Sequence, residues 1–291
     1  MNSRNRVLAA IEHREPDRVP LDLRSTDTLM ALDVYLGLTK LLGIEPQPLR
    51  VSPLFDYVTS DENTLRMLGI NMRHIGAEAE GPLHFAPRTR TGEDGTWEDI
   101  WGIRYRSVPN VSGGYSRRSA DPSSGFRNYG DRHRTVFLAI SRDAYRYERI
   151  ESTCKRHCEY ALFGGYAHFY GPGADLRSYG QWLMDLAEES ELAHAMLAKM
   201  EEFWFEYSTR VYEAAGGKLD IFYMADDYGV QDRMLISPAC WRRVFKPIVK
   251  RFMDWEHARG LKTMLHSCGS IRPIIPDLIE CGLDILDPIQ P

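Results

Sequence analysis

No apolar run in the sequence approaches the roughly 20 residues that a membrane-spanning helix needs, so no membrane partner is expected. Charge of either sign is in little excess: 36 Lys and Arg stand against 41 Asp and Glu, a net charge of −5. Nucleic-acid binding calls for a basic face, and this balance gives none. Cysteine is scarce, with five in 291 residues. An odd, sparse set is no disulfide framework and reads as the reduced thiols of a cytoplasmic protein. The opening residues, Met1-Asn2-Ser3-Arg4-Asn5-Arg6, lead into an amphipathic segment broken by charge, unlike a signal peptide. There is no G-x-G-x-x-G after a strand and no Walker-A loop, which counts against nucleotide folds.

What is present is the composition of an ordinary globular protein, 43% hydrophobic and 26% charged. The N-terminal part reads as a helix over 3–13 capped by Ser3, a short strand over 19–23, a helix over 28–42 ending at Gly43, a short helix opened by Asp61, and a strand over 70–75. Residues 76–133 read as an excursion or lid. It holds a hairpin over 97–108 and a Gly- and Ser-rich loop over 109–133. From residue 142 strands and helices alternate: helix 143–160, strand 161–169, helices 176–186 and 190–215, strand 219–225, helix 237–259, strand 261–265, helix 271–280 and strand 283–286. Alternation of this kind predicts a parallel α/β sheet or barrel, with chemistry at the C-terminal ends of the strands.

Polar residues gather at those ends: Asp22 and Arg24, Asp226 and Asp227, His266 and Cys268, Asp287 and Gln290. The sharpest pair is His266-x-Cys268. Residues two apart on an extended chain share a face, so an imidazole and a thiol converge. They make a metal-ligand pair, a nucleophile with its base, or two polar residues in a turn. Asp226-Asp227 after an apolar strand is a second candidate, because two adjacent carboxylates cannot both be buried cheaply. Cys154, His157 and Cys158 lie at helical spacing, but no second ligand pair follows at zinc-finger distance, and the plain reading is structural. Cys240 and Cys281 read as packing residues. Phe203-Trp204-Phe205 with Tyr207 reads as the core face of a helix.

Several motifs together carry a resemblance. They are Asp226-Asp227-Tyr228-Gly229-Val230-Gln231, Ile236-Ser237-Pro238, Trp241, Lys246-Pro247, His266-Ser267-Cys268-Gly269, and the closing run from Gly282 through Asp287-Pro288 to Pro291. With Arg6-Val7-Leu8-Ala9-Ala10, Pro16-Asp17-Arg18-Val19-Pro20, Leu68-Gly69-Ile70 with Arg73, and Asp99-Ile100-Trp101-Gly102-Ile103, the sequence resembles the uroporphyrinogen decarboxylase superfamily over nearly its whole length. The branch it resembles holds the corrinoid-dependent methyltransferases and O-demethylases. The resemblance implies a TIM-type (β/α)8 barrel as one domain over 1–291. Roughly six of its eight strands are expected, so that the last one or two β/α units would be lacking.

The same resemblance implies an enzyme that transfers a methyl group from or to a small-molecule substrate. Zinc would be held by His266 and Cys268, and a corrinoid would be carried by a separate partner protein. Asp226 and Asp227 would orient or protonate a substrate group, and Tyr228 and Gln231 would shape the pocket. The branch's third zinc ligand, a further cysteine, would fall beyond Pro291, leaving Asp226 or Asp227 as the local substitute. Zinc bond lengths then put the His266 nitrogen and the Cys268 sulfur about 3–4 Å apart. A second reading is decarboxylation of uroporphyrinogen or a related tetrapyrrole acid, with Arg24 and Arg177 clamping carboxylates and Asp22 and Gln290 at neighbouring strand ends. In the decarboxylases an arginine-bearing Gln-Ala-Gly-Arg stretch follows the first strand, whereas here that place reads Arg24-Ser25-Thr26-Asp27. A third reading is a non-catalytic barrel that binds a tetrapyrrole or a corrinoid protein. A homodimer is also expected.

Overall fold

A computed structural model describes residues 1–23, 29–46, 57–58, 60–79, 90–91, 97–98, 104–109, 115–119 and 145–289. Arg24 and Gln290 lie outside these residues, as does much of the expected lid over 76–133. The chain divides into two compact units, residues 1–120 with 143–162 and residues 121–142 with 163–291.

In the first unit the helix Ser3–Ile11 is capped by Asn2, whose side chain accepts from the Asn5 amide at 2.8 Å, rather than by Ser3. The expected strand over 19–23 does not form. Leu21 exchanges its backbone bonds with one residue: its N–H donates to Asn71 Oδ1 (3.0 Å) and its carbonyl accepts from the Asn71 N–H (2.8 Å). Leu32–Leu42 and Glu62–Met67 are helices, the second capped by Asp61, and Met72–Ile75 is a strand. Arg73 on that strand is fully buried. Its guanidinium is satisfied by Glu62 at 3.0 Å and lies over the Tyr160 ring at 3.6 Å.

The expected hairpin is present, Trp97–Glu98 pairing antiparallel with Arg104–Pro109. Tyr115–Ser119, expected as loop, is a further strand in register with it, Val108 opposite Ser116. Gly and Ser dominate the composition there, but a ladder is held by backbone groups that composition does not report. The helix expected over 143–160 is confined to Ile150–Arg156, because Tyr145–Arg146 pairs with Glu78–Ala79 instead.

The second unit carries the functional end of an α/β fold. Its sheet contains the end of β1 (Ala161–Gly164), whose Phe163 and Gly164 belong to this unit, then β2 (Ile221–Ala225), β3 (Lys262–His266) and β4 (Ile285–Asp287), each parallel to the next. Every residue of β2 is buried, as a parallel strand covered on both faces requires. β1 is shorter than the sequence suggests. It stops before Gly165, whose φ of +82° and closeness to the Phe222 ring leave no place for a side chain.

Two long helical stretches are each split. Ser178, at φ +68°, separates Tyr170–Arg177 from Tyr179–Ala187. Pro247 lacks the N–H that would continue Pro238–Val244 into Lys246–His257. Phe203, Trp204 and Tyr207 of the helix Glu191–Ala215 are buried as expected, and Phe205 stacks on Phe252 at 3.8 Å. Trp204 Nε1 donates to the His168 carbonyl at 2.8 Å, tying that helix to the chain leaving β1. Among the described residues no helix is long and apolar enough to cross a membrane.

Candidate metal centre

The four strands deliver polar side chains from consecutive C-terminal ends. His168 follows β1, Asp226 and Asp227 follow β2, His266 closes β3 with Cys268 beyond it, and Asp287 closes β4. The register makes this arrangement, since Ala225 pairs with His266 and His266 with Asp287. Backbone bonds then carry the alignment past the strands: the Asp226 N–H donates to the His266 carbonyl (2.9 Å) and the Ser267 N–H to the Asp287 carbonyl (2.8 Å).

Cys268 Sγ lies 3.3 Å from His266 Nε2, within the separation expected of two ligands to one ion. Asp227 Oδ1 is 3.5 Å from the same nitrogen and accepts the Cys268 N–H at 2.7 Å. Among the described residues Asp227, His266 and Cys268 form a group able to hold a metal, with ligand atoms within 4.8 Å of one another. A nitrogen, a thiolate sulfur and a carboxylate oxygen suit zinc. His266 is buried, while Asp227 is open to solvent. Cys154, His157 and Cys158 form no such group.

The adjacent carboxylates have separate tasks. Asp226 is buried and accepts from the amides of Phe169 (2.9 and 3.0 Å) and Tyr170 (2.7 Å) and from the Tyr228 hydroxyl (3.1 Å), with His168 Nε2 at 3.3 Å. Burial pushes its pKa up to about 8, against the opposing pull of those donors. Burial also pushes Asp227 upward, but the imidazole of His266 and the Cys268 amide outweigh it, and its pKa falls below the usual carboxylate value. Burial lowers His168 to about 4. Asp227 is thus the anionic member of the pair and Asp226 an internal brace. Replacing Asp226 with Ala leaves two amides and a hydroxyl unpaired. The expected loss is on the order of 3–5 kcal/mol of unfolding free energy, read from urea denaturation.

The loop bearing Asp227 turns back through Val230 N–H to the Arg233 carbonyl (2.8 Å) and Leu235 N–H to the Tyr228 carbonyl (2.8 Å), with Gln231 exposed near its tip. It is docked on the Cys268 loop by the Ser270 N–H, which donates to the Val230 carbonyl at 2.7 Å. Gly229 and Gly269 meet backbone to backbone there. A Cβ on Gly269 would fall 2.3 Å from the Gly229 carbonyl carbon, and Gly269 has φ +81°. Two small residues therefore set how closely Asp227 approaches Cys268.

Tyr228 is fully buried against Trp241 and Phe245, its hydroxyl spent on Asp226. Arg177 is ion-paired with Asp185 at 2.6 Å. Asp22 lies in the first unit. Two residues of the centre were assigned no role from sequence, His168 and Asp287. Asp287 was visible as the polar end of a strand. His168 was hidden inside an aromatic run read as strand.

Residues 171–288 match the family model described as uroporphyrinogen decarboxylase. Over this segment the chain is similar to the uroporphyrinogen decarboxylase family. The matched segment contains Asp226, Asp227, His266, Cys268 and Asp287; His168 precedes it. A solved methyltransferase from Methanosarcina mazei has a similar fold, with a TM-score of 0.56 at 17% identity over 98% of this chain and 75% of that one. No curated protein matches the chain. Within the segment that resembles this family, the chain places an imidazole, a thiol and a carboxylate together at the strand ends.

Proposed function

We propose that the protein is a cytoplasmic, zinc-dependent methyltransferase acting with a corrinoid protein, and that its parallel strands are part of a TIM-type barrel. The observation that carries this is the convergence of Asp227, His266 and Cys268 on one point. These three would hold the metal, which would lower the pKa of a bound thiol and so supply a thiolate nucleophile at neutral pH. The chain's own contribution is positional. Asp227 keeps the site anionic, the Gly229–Gly269 contact holds the two loops together, and Asp226 braces the segment after β1.

In the reaction Asp227, His266 and Cys268 would hold the metal that activates a small thiol, and the corrinoid of the partner protein would supply the methyl group. The assay is zinc-loaded protein with a methylated corrinoid and a small thiol, following the corrinoid spectrum and the methyl thioether formed. Transfer that disappears when zinc is removed supports the reading. Release of carbon dioxide from uroporphyrinogen, with no methyl transfer, replaces it with the decarboxylase.

A further inference from the structure

We propose that Asp287 is a positioning residue: it fixes the proton of His266 on Nδ1 and leaves Nε2 bare toward Cys268 and Asp227. The inference rests on the metal reading only for its consequence, not for its geometry. His266 and Asp287 are direct neighbours in the parallel register of β3 and β4. Adjacent strands lie roughly 4.8 Å apart, a gap that the short Asp side chain spans in one hydrogen bond. His266 Nδ1 and Asp287 Oδ2 are 3.0 Å apart. The Ser267 N–H, donating to the Asp287 carbonyl, holds the two backbones in that register.

The ring faces carboxylates at both nitrogens. On the Nε2 side Asp227 is the competitor, at 3.5 Å, with its side chain 58% exposed and the Cys268 amide already bound to the same oxygen. On the Nδ1 side Asp287 is nearer, at 3.0 Å, and only 24% exposed. A hydrogen bond strengthens as it shortens and as water is withdrawn, so Asp287 holds the proton. Cys268 Sγ lies on the Nε2 side at 3.3 Å. An imidazole ligates a metal through an unprotonated nitrogen, and the hydrogen bond made by its other nitrogen decides which one that is. Asp287 thereby turns the ring into an Nε2 donor before any ion arrives.

The test is Asp287→Asn in the full chain. The change is nearly isosteric, so a purely structural role predicts a protein like the wild type. The amide can instead donate to Nδ1, and Asp227 then captures the proton on Nε2. Nitrogen-15 spectra of His266, recorded on the metal-free protein along the alkaline limb of its titration, should show protonated Nδ1 in the wild type and protonated Nε2 in the variant. Zinc or cobalt affinity should fall about 10–100-fold, with the melting curve little changed. Asp287→Glu, which restores an anionic acceptor, should return the Nδ1 proton. Wild-type ring shifts in Asp287→Asn overturn the proposal. If the tautomer flips but wild-type protein binds no zinc, Asp287 still positions the ring and the metal reading alone falls.

Discussion

Cys268→Ser is expected to strip the protein of zinc and of methyl transfer while leaving its melting temperature almost unmoved. The thiol is one of three groups able to hold the ion and the only sulfur among them. A serine hydroxyl stays protonated at neutral pH and offers the metal little. The loss should exceed the 10–100-fold that removal of an outer hydrogen-bond partner costs. Cys268 is half-buried at a loop surface, and its N–H, which binds Asp227, is untouched by the change. Stability should therefore stay within about 0.5 kcal/mol. Zinc per chain after dialysis, measured beside turnover, decides the matter. A variant that keeps its full zinc content and its activity would end the metal reading and reduce the His266–Cys268 turn to scaffolding.

Glu256→Met is expected to stabilise the protein, and more so as the pH rises. Glu256 sits in the last turn of the helix Lys246–His257, fully buried, and among the described residues neither carboxyl oxygen has a hydrogen-bond partner. Burial holds its pKa well above the ordinary value, and the nearby Asp284 charge adds to this. That neighbour is an anion firmly in place, bound by Lys262 Nζ and His257 Nε2 at 3.0 Å and by the Thr263 N–H at 2.9 Å. In acid, both folded and unfolded chains keep the Glu256 proton. Above the unfolded pKa of about 4.3 the unfolded chain releases it and the folded chain does not, so wild-type stability declines with rising pH at this residue. Methionine removes both the unsatisfied oxygens and the linkage. The gain should be about 1–3 kcal/mol near neutrality and smaller at pH 4, as read from denaturant midpoints at the two pH values. Equal midpoint shifts at both would show that the carboxyl is ionised in the folded state.

The α/β character of the second unit was legible because strands and helices each announce themselves by period and by cap. Ser190 and Ser237 sit where helices begin, and each accepts an amide at 3.1 Å. The pair His266 and Cys268 was legible because alternation along a strand is a local property. What a single sequence withholds is register. Nothing local to Asp287 says that it stands opposite His266, nor does anything local to Asp226 say that its partners are the amides of Phe169 and Tyr170, more than 50 residues away. The division of labour between Asp226 and Asp227 was hidden for the same reason, since it depends on which of two adjacent carboxylates faces inward. The strand misread over 19–23 shows the converse. Val19, Leu21 and Leu23 alternate as a strand would, yet one asparagine side chain supplies a bond that a ladder would have made.

The contact between Gly229 and Gly269 bears on how the protein can be redesigned. Libraries that vary the Asp227 loop to admit new substrates can draw freely on Gln231, which is exposed. At positions 229 and 269 the alphabet has one letter, because any added carbon meets main chain rather than a side chain that could swing aside. Changing the two together gives no relief, since each new group would enter the space of the other's backbone. Diversity in this loop is thus available at its tip and closed at its root.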